Sequence, residues 1–307
     1  MTAGWAPGAV RARTMLSRCV GPDELRRIAA LSALDEAVQG LGSTAYGRRV
    51  GAADSLAEAQ RAVADTLLWQ LRVLAGWQTR SGADDVRLLA SGFEISNTEA
   101  HIRSIRNGEG APPYRLGALA IAWPRLAHTS SLPELRAQLA RSPWGDPGAD
   151  TAAAIGVGMR VAASVRVAEQ VPLAAVWARK RLALLICRER FLLERELTDR
   201  TRRIASRLLG AAAPHARSFA DYRRAVPTET RTVFAGIDRP AQLWRAEARW
   251  WTDVECEGRR LLRRRGLGQA AVVGAIALMS TDAWRTRAAL AVATTGGVSP
   301  EVLDASF

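Results

Sequence analysis

Several residues in this chain are of types that could do chemistry, and spacing decides what each could do. Gly266, Gly268 and Ala271 in GLGQAA fit a G-x-G-x-x-A pattern. In a dinucleotide site that pattern cradles a pyrophosphate where an apolar strand turns into a helix. Here the preceding residues are LLRRRG, a charged segment, so no nucleotide site is expected. IGVGMRV (Ile155–Val161) lacks the third glycine. No G-x-x-x-x-G-K phosphate loop occurs, and the single lysine, Lys180, has no such glycines before it, so ATP hydrolysis by this chain is not expected. His101, His128 and His215 lie far apart, with no H-E-x-x-H motif and no Cys–His pairing at ligand spacing. His101 shares a helical face with Asn97 and reads as a structural histidine. No G-x-S-x-G elbow is present. Glu194 and Glu196 could act as paired carboxylates, but Arg188, Arg190, Arg195, Arg200, Arg202 and Arg203 surround them. That pattern predicts a salt-bridged helix surface. No catalytic, cofactor-binding or metal-ligating residue is assigned, and the chain is not expected to be an enzyme.

Two clusters could instead bind a partner. RRLLRRR (Arg259–Arg265) is the densest basic run. It could contact phosphates, but basic residues ahead of a capping Gly266 also suit a helix C-terminus, where the macrodipole favours cations. RWW (Arg249–Trp251) belongs to a set of ten tryptophans, which at helical spacing read as core anchors. The formal net charge of +13 suits anionic partners. Nearly all of it is arginine beside abundant Ala and Gly, a composition that a GC-rich genome also produces. Cys19, Cys187 and Cys256 form no disulfide framework, which fits a reducing cytosol. The N-terminus shows no secretory pattern. The longest uncharged run, Gly266–Thr281, falls short of the ~20 apolar residues of a membrane span. A soluble or peripheral protein is expected.

The elements that must position these residues are helices. Leu25, Ile28, Leu31, Leu34, Val38 and Leu41 recur at steps of three and four. Ser131 stands three residues before Glu134 with Pro133 between them, a capping-box start, and Asp238 precedes Pro240 in the same manner. Leu173 to Leu209 contains no Gly or Pro; as one helix it would be about 55 Å long, at about 1.5 Å per residue. No segment alternates with period two, so the expected class is all-α.

One frame recurs: acid, seven residues, Ile or Leu, five residues, Gly, three residues, Pro. It fits Glu94, Ile102, Gly108 and Pro112; then, 102 residues on, Glu196, Ile204, Gly210 and Pro214; then, 188 on from the first, Asp282, Leu290, Gly296 and Pro300. A second frame repeats at 98: Leu34, Glu36, Leu41, Thr44, Tyr46 and Gly47 match Leu132, Glu134, Leu139, Ser142, Trp144 and Gly145. Together they predict an internal repeat of roughly one hundred residues. Each unit closes with a helix that Gly caps and Pro keeps from restarting. The expected segments are three similar helical domains near 1–107, 108–209 and 210–307.

AVRARTMLSRCVGPDELRRIAALSALDEAVQGLGSTAYG resembles the opening of the central-stalk subunit called C in archaeal and bacterial A/V-type ATPases and d in eukaryotic V-ATPases. Arg11, Arg13, Thr44 and Tyr46 match its aromatic-x-R-x-R and T-x-Y elements, with Ala9 or Val10 in place of the aromatic. The family's domain-closing acid-x-x-Asn helix is matched by Glu94 and Asn97 and followed by Glu196 and Asp199. The last copy keeps Asp282 but carries Arg285 where the family has Asn, within VVGAIALMSTDAWRTRAALAVATTGGVSPEVL. The resemblance runs in order along the whole chain.

It implies three similar helical bundles around a pseudo-threefold axis, forming a funnel on the cytoplasmic end of the H⁺- or Na⁺-carrying ring. The shaft tip would fit the cavity, and the subunit would pass torque between the ATP-hydrolysing head and the membrane rotor without bond chemistry or cofactor. Expected partners are the shaft subunits and the ring, with peripheral membrane contact and no nucleic acid. Arg202, Arg203, Arg263, Arg264 and Arg265 are the candidate shaft or ring contacts. The alternatives are an Arg-rich nucleic-acid-binding protein, whose affinity would fall steeply with salt, and a helical scaffold for another complex.

Overall fold

The computed structural model describes residues 3–51, 53, 55–264 and 266–295. These residues are overwhelmingly helical, and no strand occurs among them. In chain order the helices are α1 (Ala6–Leu16), α2 (Pro22–Ala29), α3 (Leu34–Gly40), α4 (Gly47–Val50), α5 (Leu56–Gly76), α6 (Arg80–Leu89), α7 (Gly92–Asn107) and α8 (Trp123–Leu126). There follow α9 (Leu132–Ala140), α10 (Ala152–Gln170), α11 (Ala175–Cys187), α12 (Asp199–Leu209), α13 (Phe219–Ala225), α14 (Thr228–Arg231), α15 (Leu243–Arg263) and α16 (Gln269–Thr294). Hydroxyl N-caps begin five of them. Ser55, Ser131, Thr151, Thr198 and Ser218 each accept a backbone N–H three residues on, satisfying a donor that the helix itself leaves free. At Ser131 the capping box is shifted by one residue, because Glu134 returns its carboxylate to Ser130. Gly108 closes α7 at φ 73° and Gly210 closes α12 at φ 79°, as the repeated frame predicts. Gly296 and Pro300, the third closing pair, lie outside the described residues.

The chain divides into two compact units, the described parts of Met1–Val86 with Trp251–Phe307, and Arg87–Trp250. The first draws on both ends of the chain, which three consecutive segments do not anticipate. Its centre is α16, apolar on all sides and therefore buried, which packs against α1, α2, α3 and α5. The α15 part of this unit crosses α16 at two glycines. A Cβ on Gly274 would come within 2.8 Å of the Gly258 carbonyl oxygen. Trp251 and Trp284 stack in the same helix pair, with ring centroids 5.3 Å apart. In the second unit α10 packs against α7, α11 and α12. One core there gathers Ile95, Leu126, Leu135, Leu139, Trp144 and Ile155. A second gathers Val161, Leu184, Leu209, Tyr222, Val233 and Phe234.

Two helix expectations are corrected. The periodic stretch Leu25–Leu41 is two helices, α2 and α3, broken between Ala30 and Ala33. The stretch Leu173–Leu209 is not one helix: it holds α11, a π-turn at Arg188–Leu192, an irregular segment and then α12. Glu194, at φ 52°, is the only described non-glycine residue with left-handed backbone. The Thr198 side chain then caps a fresh helix. The turn is thus made by a π-bulge and a strained glutamate, without the glycine or proline that usually marks such a stop.

Candidate functional site

Two of the residues that mark the repeat, Glu94 and Asp282, form buried carboxylate latches. Glu94 lies on α7 and is 1% exposed. Its carboxylate accepts the backbone N–H of Ile121 (2.5 Å) and of Ala122 (2.8 Å), and the indole N–H of Trp144 (2.7 Å). It therefore caps the start of α8 and pins an aromatic residue 50 positions away. Three residues on, Asn97 holds both backbone groups of one residue: its amide N–H donates to the Tyr114 carbonyl at 2.9 Å and its oxygen accepts the Tyr114 N–H at 2.6 Å.

Asp282 on α16 does the same work in the other unit. It accepts the Gly21 N–H at 3.0 Å, the Val20 N–H, and the Tyr46 hydroxyl at 2.9 Å. Gly21 precedes α2 as Ala122 precedes α8. Thr98 and Thr286, each four residues past its acid, return their hydroxyls to the acid's own carbonyl. Each aromatic residue also sits in the same hydroxyl turn. Thr44 donates to the Leu41 carbonyl and accepts the Tyr46 N–H. Ser142 donates to the Leu139 carbonyl and accepts the Trp144 N–H. Tyr46 and Trp144, matched at 98 in the sequence, hold equivalent places.

A third set is apolar. Thr232 donates to the Glu229 carbonyl, again three residues back, and Phe234 follows two residues later. Phe234 lies 90 residues beyond Trp144, and the same shift carries Glu94 to Leu184 on α11. Leu184 and Phe234 share one buried cluster. Acid and indole have both become hydrocarbon, so no buried charge or donor is left unpaired. Arg249 braces this turn, its guanidinium donating to the carbonyls of Val233 (3.2 Å) and Ala235 (2.6 Å).

Glu196 and Asp199 take no part in such a latch. Glu196 lies ahead of α12 and Asp199 begins it. Both carboxylates are exposed and pair with Arg202, at 2.8 and 2.7 Å. The frame at 102 therefore marks a different helix, sharing only the grammar by which helices end. Arg285 is buried where Asn97 is buried, but it pairs with Glu255 of α15 at 2.7 Å. Glu255 also holds Arg259 at 2.6 Å. Burial opposes the Glu255 charge, yet the two guanidiniums outweigh it and keep this carboxyl below its usual range.

The Asp282 carboxyl is held above its usual range, chiefly by burial and in spite of its N–H and O–H donors. Burial and then Asp282 also push the Tyr46 phenol well up and the Cys19 thiol to about 12. The folded chain therefore binds the Asp282 proton more tightly than the unfolded chain does. Its contribution is full below the ordinary aspartate range and declines as pH rises through the raised value. Asp282→Asn is expected to remove that part of the decline, measured as a flatter plot of urea midpoint against pH above about 4.

Of the other candidates, His101 bonds the carbonyl and hydroxyl of Thr129, each at 3.0 Å, and meets Trp123 edge-on. It is a structural histidine. GLGQAA follows α15, a helix, and its last residues open α16. Trp250 of the RWW run donates to the Trp177 carbonyl at 2.9 Å. Among the described residues no group of His, Cys, Asp and Glu could hold a metal ion, and no helix is long and apolar enough to cross a membrane. A polar cleft of about 580 Å³, lined by Ser17, Arg18, Cys19, Arg27 and Thr44, opens beside the Asp282 latch. The Ser17 and Thr44 hydroxyls donate to carbonyls, and the Arg27 guanidinium is held by Glu24.

Arg202 is engaged by its two acids. Arg203, Arg263 and Arg264 are exposed, and Arg265 lies outside the described residues. Comparison with protein-family models finds no match to this chain, and comparison with curated protein sequences finds none.

Proposed function

We propose that this chain is a non-catalytic central-stalk subunit of an A/V-type rotary ATPase, a helical socket that passes rotation between the shaft and the membrane ring. The observation that carries the reading is the recurrence of one device in fixed order. An acid on a helix meets an aromatic residue in a hydroxyl turn, as Glu94 with Trp144 and Asp282 with Tyr46, and at the equivalent apolar positions Leu184 and Phe234 share one buried cluster. Three uses of one bundle design are what a pseudo-threefold funnel requires. The first use closes with a helix from the far end of the chain, as a ring of three demands.

Torque transfer needs stiffness, and densely packed helices resist compression. Buried latches add to it, because each ties a helix to a turn remote in sequence through hydrogen bonds that are costly to leave unmade. A socket that engages and releases a shaft should be polar. Arg203, Arg263 and Arg264 suit that task, since arginine pairs with carboxylates through a rigid fork. In this reading the chain sits on the cytoplasmic face of the membrane, bound to the ring and not inserted in the lipid.

Purification of the tagged chain from its native cell tests the proposal. Recovery of nucleotide-binding subunits and the membrane ring is expected, and recovery of nucleic acid or an unrelated assembly would retire it. Replacing Arg263, Arg264 and Arg265 by Glu is expected to weaken capture of the shaft or ring by about tenfold in the same pull-down. Unchanged capture would remove these residues from the interface.

A further inference from the structure

Helix α5 keeps two indoles in solvent: Trp69 is 43% exposed and Trp77, which caps the helix, 52%. Trp69, Arg72, Val73 and Gly76 stand at i, i+3, i+4 and i+7 and so share a stripe. The opposite stripe, with Val63, Leu67, Leu71 and Leu74, is buried. Arg72, and Arg80 at the start of α6, are exposed and have no ion-pair partner among the described residues. Asp65, an acid on the same stripe, is turned toward Arg61 at 3.9 Å. Gly76, the last residue of α5, leaves an open position on this stripe: a Cβ there would meet nothing within 4 Å.

We propose that this face docks an acidic amphipathic helix of a partner protein. The partner seats an apolar residue over Gly76, between the indoles of Trp69 and Trp77, and sets carboxylates against Arg72 and Arg80. Tryptophan and arginine are the side chains that dominate binding energy at such contacts. A second copy of the chain is a poor occupant, because two uncompensated cations would meet two more. A lipid surface is a poor one as well. Helices that lie on membranes carry their cations on the face opposite their aromatics, whereas Arg72 shares the stripe of Trp69. The inference is independent of the rotary reading, since it specifies the partner's chemistry alone.

The test titrates the full chain with a labelled helical peptide bearing a Leu–Ala stripe flanked by glutamates two turns apart, and with its lysine counterpart, by fluorescence anisotropy. The glutamate peptide is expected to bind. Trp69→Ala with Trp77→Ala, and Arg72→Glu with Arg80→Glu, should each weaken it by about tenfold or more. The charge-reversed chain should in turn prefer the lysine peptide. All four side chains are exposed, and circular dichroism will show whether the variants keep their helix content. The proposal is overturned if neither peptide binds, if both bind alike, or if the variants bind as the native chain does. It is equally overturned if phosphatidylglycerol vesicles, or a second copy of the chain, occupy the face in a Trp69- and Trp77-dependent way.

Discussion

Glu94→Ala is expected to destabilise the chain by about 3–5 kcal/mol, a large share of the roughly 5–15 kcal/mol that holds a domain together. The substitution removes one acceptor and strands three donors: the N–H groups of Ile121 and Ala122 and the indole of Trp144. Stranded donors are where the cost lies, because each loses its solvation without compensation. Replacing Glu94 by Leu together with Trp144 by Phe removes the acid and one donor at once, as the Leu184–Phe234 pair does. The double variant should therefore lose less than the sum of the two single changes, with a coupling of about 1 kcal/mol or more in urea denaturation. The mirror change, Leu184→Glu, places a carboxylate among hydrocarbon with no indole to meet it. It is expected to destabilise at least as strongly as Glu94→Ala, although glutamate is the required residue at the equivalent place.

Arg285→Ala is expected to cost about 3 kcal/mol, by leaving a largely buried Glu255 facing Arg259 alone. Glu255→Ala should also destabilise, because it removes the carboxylate that the buried Arg285 guanidinium meets at 2.7 Å. Removing both should recover a large part of either loss, since neither charge is then stranded. Measured additivity of the two changes would show that the pair does not join α15 to α16 energetically.

Much of this architecture is legible in the sequence, and the gaps have physical causes. Helical class, the capped start at Ser131, and the glycine stops at Gly108 and Gly210 follow from local rules. Glu94 and Asp282 stand out as one repeated position, and so do Tyr46 and Trp144. Their union into latches does not, because hydrogen-bond partners 50 and 236 residues apart leave no mark on spacing. The third set escaped because its pattern is carried by polarity elsewhere. Once acid and indole both become apolar, Leu184 and Phe234 look like any core residues. The shift of 188 from Thr44 to Thr232 and from Tyr46 to Phe234, the same shift that joins Glu94 to Asp282, was the available clue. Glu196 took the vacant place because an acid followed by a Gly stop and a Pro is common to helix ends. The break after α11 was hidden for a related reason: a π-turn and a left-handed glutamate do there what glycine and proline do elsewhere.

ATP-driven ion transport by inverted membrane vesicles, prepared from cells lacking this chain and then supplied with it, tests torque coupling most directly. The account predicts that vesicles without the chain hydrolyse ATP but move no ions, and that adding the purified chain restores transport while the Glu94→Ala chain restores less. Transport at full rate in vesicles that lack the chain would contradict it.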